Sequence, residues 1–132
     1  MMRVKNIFIK ETSDNLAVLE KELNNPDKGE LSVDAVEKVI STMHNIKGTA
    51  PMLGFNMLPE LAIPVEQVYK DVKESKIIAD KTLVEKTQSA VSIIQDLLFN
   101  DEAHTPQSKE EQEILVDFFN DINRLKAQTN DR

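Results

Sequence analysis

Apolar residues recur at three- and four-residue spacing in five stretches of this 132-residue chain, and nowhere do they alternate in the sustained way of a strand. That periodicity commits the chain to amphipathic helices, each with a stripe to bury against the others. The first stretch runs from about Val4 to Asn24, with Phe8, Leu16, Leu19 and Leu23 on one face. Asn25-Pro26-Asp27-Lys28-Gly29 has the residue chemistry of a turn. Ser32 is placed to cap the second helix, with Asp34 favourable in its first turn, and Val36, Val39, Ile40, Met43, Ile46 and Ala50 form its apolar arc. Pro51 lacks the amide hydrogen and clashes with the carbonyl four residues back, so it kinks or ends that helix.

Gly54-Phe55-Asn56 reverses the chain, with Asn56 as candidate cap of a third helix over about Met57 to Glu74. Pro59 suits the first turn of that helix, and Pro64 should bend it. Its stripe is Leu58, Leu61, Val65, Val68 and Val72. After a short connection at Ser75-Lys76, Asp80 caps a fourth helix whose inward residues are Leu83, Thr87, Ala90, Val91, Ile94 and Leu98. Residues 100–107 read as a polar loop, and Ser108-Lys109-Glu110-Glu111 as a capping box opening a fifth helix with Ile114, Leu115, Phe118, Phe119, Ile122 and Leu125. From Gln128 the tail should fray. Helices joined by short loops imply an all-α fold, an antiparallel four-helix bundle with an additional C-terminal helix packed against it. We expect one domain over residues 1–132, with the bundle at about 4–100 and the extra helix at about 108–127.

Composition narrows the function. No cysteine is present, which excludes disulfides and thiolate metal sites, and three glycines with few aromatics argue against a sandwich or barrel. A formal charge of −7 argues against nucleic acid as a partner. No apolar run approaches membrane-spanning length and the start lacks a signal-peptide core, so no membrane partner and a cytoplasmic location are expected.

The chemistry concentrates in Met43 to Phe55. His44 and Lys47, three residues apart, share a helix face, and Gly48 one turn beyond His44 removes a side chain that would otherwise crowd the ring. A mid-helix glycine costs about 1 kcal/mol relative to alanine and usually has a local reason. His44 projects to the flank of the second helix's apolar arc, with Glu37 and Gly48 further out and Lys47 and Ile40 further in. Glu66 has the same offset on the third helix. His44 lies 11 residues before Phe55 and Glu66 lies 11 after it, so the two should face each other across the hairpin groove. A carboxylate there takes the Nδ1 hydrogen, fixes the tautomer and leaves Nε2 as the nucleophilic nitrogen. Lys47 adds an ammonium suited to phosphoryl oxygens. Ile63 lies near the level of Lys47 on the outer edge of the groove, a candidate docking contact for a protein partner.

His44-Asn45-Ile46-Lys47-Gly48 followed by Met52-Leu53-Gly54-Phe55 resembles the histidine phosphotransfer (HPt) domains of bacterial multistep phosphorelays. The helix layout also looks like the phosphotransfer domain of chemotaxis-type histidine kinases, whose third-helix glutamate matches Glu66. The resemblance spans about Phe8 to Leu125, although the sharp motif covers only residues 44–55. Pro51 departs from the pattern where small residues are usual, and Asn45 stands where Ser or Thr is usual.

The resemblance implies that His44 accepts a phosphoryl group from one receiver-domain aspartate and passes it to another. Lys47 and Gly48 would support the ring and Glu66 would orient it, while Glu37, Ile40, Ser41 and Ile63 would line the receiver-docking face. The receiver brings Mg²⁺ and the acidic pocket, so the chain itself needs no metal, nucleotide or other cofactor. The partners implied are receiver domains of response regulators or of hybrid histidine kinases. The chain would then be a phosphocarrier and not a kinase. Two alternatives stand beside the phosphorelay intermediate: a helical adaptor that docks receivers or kinases without carrying phosphate, and the phosphotransfer domain of a larger histidine kinase. His104, in the polar loop, reads as inert, no zinc-type ligand spacing joins the two histidines, and Phe118-Phe119 reads as core.

Overall fold

A computed structural model describes residues 2–24, 31–99 and 106–130, with side chains described over residues 3–24, 31–99 and 109–124. Among the described residues five α-helices follow in order: α1 Met2–Leu23, α2 Val33–Thr49, α3 Leu58–Lys73, α4 Lys81–Phe99 and α5 Pro106–Asn130, with a 3₁₀ turn at Pro51–Leu53 after α2. No described residue is in a strand. Helices α2 and α3 form an antiparallel hairpin, α1 packs against α2 and α4, α4 also meets α3, and α5 lies along α3 and α4. This is the all-α bundle with an additional C-terminal helix.

The stripes meet in one core. Leu16, Leu19, Val39, Met43, Ile46, Leu58, Leu61, Val65, Val68, Ala90, Val91, Ile94 and Phe119 are fully buried. Thr12 fills the gap between Phe8 and Leu16 on α1, and its hydroxyl finds no hydrogen-bond partner among the described residues. At the end of the hairpin the Phe8 and Phe55 rings lie 5.7 Å apart, and the Lys5 ammonium sits 4.8 Å from the centre of the Phe55 ring. Tyr69 of α3 reaches Thr87 of α4 at 2.6 Å, while the Thr87 hydroxyl donates to the Leu83 carbonyl at 2.7 Å. Burial pushes the Tyr69 phenol up to about 12, outweighing that hydrogen bond.

Local chemistry sets the helix ends. Ser32 Oγ accepts from the Ala35 amide at 3.1 Å, and Asp80 Oδ1 accepts from the Leu83 amide at 2.8 Å, so both act as expected N-caps. Pro51 ends α2 cleanly: the Ala50 amide still bonds the Ile46 carbonyl at 2.9 Å, and the chain then tightens into the 3₁₀ turn. Gly54 at φ 90° takes the left-handed conformation that a side chain resists, and the Phe55 amide folds back to the Ala50 carbonyl at 3.0 Å. At the far end of α3, Ser75 adopts φ 63° and lets the Lys76 amide return to the Asp71 carbonyl at 2.8 Å.

Several boundaries differ from expectation. Asn56 does not cap α3; the N-cap position is Met57, with no side-chain hydrogen bond, because Pro59 already removes one of the amides a cap would serve. Helix α5 begins at Pro106, whose fixed φ suits a first turn, so residues 106 and 107 belong to the helix and Ser108 lies inside it without capping it. The same helix continues past Gln128 to Asn130. Ile114 is exposed, and the place it was expected to take in the interface belongs to buried Gln112, whose amide donates to the Met57 carbonyl at 3.3 Å. Asn123 likewise donates to the Pro64 carbonyl at 3.3 Å, so two amides of α5 read the backbone of α3 and of its N-cap residue. The turn at residues 25–29, His104 and the side chains of Ser108 and Leu125 lie outside the described residues.

Candidate functional site

The site is built on the α2–α3 hairpin, where the sharp reversal about Phe55 puts equal heights of the two helices side by side. His44 Nδ1 stands 3.0 Å from Glu66 Oε2. The two partners differ sharply in exposure: the His44 side chain is 67% exposed and that of Glu66 only 3%. The imidazole therefore projects from the surface on a buried carboxylate. A carboxylate accepts only, so Nδ1 carries the hydrogen, and Nε2 has no hydrogen-bond partner among the described residues.

Glu66 has two further donors. Lys47 Nζ lies 2.8 Å from Oε1, and Lys70 Nζ lies 3.2 Å from Oε2, the oxygen that His44 also uses. Burial pushes the Glu66 carboxyl up, but the hydrogen bonds from Lys47, His44 and Lys70, with the Lys47 charge, outweigh it and hold the group below its ordinary value of 4.5. Glu66 is thus an anion at neutral pH. Lys47 occupies the last turn of α2, where a cation meets the helix dipole favourably.

The sequence places Lys47 as an ammonium near the ring, suited to phosphoryl oxygens, and the structure pairs it with Glu66. Lys70 was missed altogether. Its signal is the i,i+4 spacing from Glu66, which is common on solvated helix faces and becomes informative only once Glu66 is buried. The register extends outward: Glu37 and Lys73 each lie seven residues further from Phe55 than His44 and Glu66, and pair at 3.6 Å. Glu37 and Ser41 are exposed, Ile40 is half-buried against the core, and Ile63 is 49% exposed. Ser41 Oγ donates to the Lys38 carbonyl at 3.4 Å. Among the described residues no group of three or more His, Cys, Asp or Glu is placed to hold a metal ion.

Gly48 corrects one expectation. A Cβ built there meets nothing within 4 Å, so a methyl group would not crowd the ring. Cα–Cβ bonds in a helix tilt toward the N-terminus, so the His44 ring runs ahead of residue 48 and the two do not collide. The glycine leaves open space beside the imidazole. Gly48→Ala is accordingly expected to raise stability by about 0.4–1 kcal/mol, measured by urea unfolding.

Residues 3–99 match the family model of the Hpt domain. The chain belongs to the Hpt domain family. The match takes in α1 to α4 and stops before α5. Similarity also extends to the chemotaxis protein CheA of Borreliella burgdorferi, 21% identical over 92 residues, which is 70% of this chain and 11% of that protein. The chain thus spans about a tenth of the length of the curated relative it matches. Hpt domains are phosphotransfer modules, not kinases, and membership gives the chain a histidine phosphotransfer role in two-component signalling. No described helix is long and apolar enough to cross a membrane.

Proposed function

We propose that His44 is the phosphoryl acceptor of a cytoplasmic phosphorelay intermediate, taking the group from a receiver-domain aspartate and passing it to another. The observation that carries this reading is the exposed imidazole held through Nδ1 by a buried carboxylate, which leaves Nε2 without a hydrogen-bond partner among the described residues. In the transfer, Nε2 attacks phosphorus, the aspartyl O–P bond breaks and the receiver carboxylate departs. The ring keeps its Nδ1 hydrogen and becomes cationic, and Glu66 balances that charge at hydrogen-bond distance. The return step reverses each bond change. Lys47 is within reach to meet phosphoryl oxygens, and the space beside Gly48 admits the incoming group and the receiver backbone around it.

Glu37, Ile40, Ser41 and Ile63 surround this centre as the receiver-docking face, mixing an exposed charge and hydroxyl with two apolar contacts. Helix α5 belongs to the same domain on this reading, since it buries Leu115 and Phe119 against the bundle.

The test uses a receiver domain carrying labelled aspartyl phosphate, mixed with the chain. Acid-labile, base-stable label on the peptide containing His44 is the expected result. Tight receiver binding with no label acquired would instead establish the adaptor reading. Labelling by a kinase domain directly, with no transfer from any receiver, would favour the phosphotransfer domain of a larger kinase.

A further inference from the structure

We propose that Lys70 is a positioning residue: it keeps the buried Glu66 carboxylate paired while Lys47 turns from Glu66 to the phosphoryl group on His44. The inference rests on His44 being the phosphoryl acceptor. Glu66 is 3% exposed and holds three donors, Lys47 on Oε1 and both His44 and Lys70 on Oε2. In the unmodified protein Lys47 is therefore spoken for. Moving its ammonium to a phosphoryl oxygen would strip Oε1 of its donor, and a buried carboxylate oxygen left without a donor is costly. The phosphorylated ring brings its positive charge to Oε2, so what Lys47 leaves unmet is Oε1, and a second cation must reach that oxygen.

Lys70 meets that need. Its side chain, a flexible four-carbon stem, is 47% exposed, and its ammonium already rests 3.2 Å from the shared oxygen, so bridging to Oε1 requires a small swing. The neighbouring charges offer no substitute. Lys73 is engaged by Glu37 at 3.6 Å, and Lys38 by Glu22 at 3.0 Å. Nor is Lys70–Glu66 an ordinary pair one turn apart. Lys10–Asp14 has the same spacing at 3.1 Å, but both of its partners are more than two-thirds exposed, where an ion pair contributes little. Lys70 differs because its carboxylate is buried and shared with the reacting ring.

Phosphoramidate, a small donor that needs no receiver, loads the phosphohistidine in the full chain, with ³¹P NMR following its formation. Lys70→Met is expected to slow loading by about threefold to tenfold, the size of coupling found between contacting groups. Lys70→Arg should restore most of the rate, because it keeps the cation. In a Lys47→Met background, Lys70→Met should slow loading by a clearly smaller factor than it does with Lys47 present, since Lys70 acts by releasing Lys47. Loading of Lys70→Met at the wild-type rate would overturn the inference, and so would an equal loss with and without Lys47. If the wild type itself gains no phosphohistidine at His44, the phosphotransfer reading falls and takes this role with it. A helix-stabilising role alone would lower the unfolding midpoint without producing the dependence on Lys47.

Discussion

His44→Gln is expected to abolish phosphoryl uptake from a phosphorylated receiver while leaving the fold intact. Glutamine has no nucleophilic nitrogen, because its amide lone pair is delocalised, so no N–P bond can form at this position. Its amide can still donate toward Glu66, and the side chain it replaces is 67% exposed with no part in the core. Stability should therefore change by no more than about 0.5 kcal/mol, as for other exposed positions. Two measurements check this: label transfer from the receiver, which should fall to background, and urea unfolding, which should match wild type. Label still reaching the variant would place the phosphoryl acceptor elsewhere in the chain.

The fold was legible because it rests on short-range rules. The period of Val39, Met43, Ile46 and Ala50 requires a buried helical face, and all four are fully buried. Pro51 cannot supply the amide hydrogen that the next turn of α2 needs, and Ser32 and Asp80 cap because their oxygens reach amides three residues on. What was not legible depended on competition between rules. Asn56 has the right side chain for a cap, but Pro59 had already removed one of the amides it would satisfy. Ser108 fits a capping box, yet Pro106 two residues earlier supplies the first turn. Gln112 is buried and Ile114 exposed because α5 is positioned partly by hydrogen bonds to the backbone of α3 and of its N-cap residue, which hydrophobic spacing does not register.

The site shows the same division. The height match between His44 and Glu66 follows from counting residues about one reversal, and it survives Pro51 because the helix persists through Thr49 before the 3₁₀ turn begins. Pro64 does not spoil it either, since α3 runs on through Lys73. The depth of Glu66 could not be counted in this way. A helix-flank projection gives direction, whereas burial depends on how closely α2 and α3 approach. That depth is what converts Lys47 and Lys70 from surface charges into partners of a buried anion. The glycine at 48 was legible as a gap but not in its orientation, which the tilt of helical side chains decides.

Glu66→Gln is expected to slow transfer by about tenfold to a hundredfold, the range found where a carboxylate that orients a metal-bound histidine is lost. The substitution keeps the volume but leaves one acceptor and one NH₂ where two anionic oxygens stood. An amide oxygen turned toward His44 puts its NH₂ against the Lys47 ammonium, and the opposite orientation sets NH₂ against Nδ1–H. Either way the ring loses its fixed tautomer or Lys47 loses its partner, and the cation that forms on phosphorylation has no counter-charge. The pH dependence of stability supplies a second, independent readout. The Glu66 carboxyl is held below its ordinary value of 4.5, so it releases its proton more readily folded than unfolded. Its contribution is fully present above that ordinary value and is lost as pH falls through the lower, folded-state value. Urea unfolding should therefore show wild type more stable than Glu66→Gln at pH 7, with the gap closing on acidification below about 4.5. A gap that stayed constant through that range would mean the three donors do not stabilise the anion. A variant that transferred at the wild-type rate would show that the ring orients without Glu66.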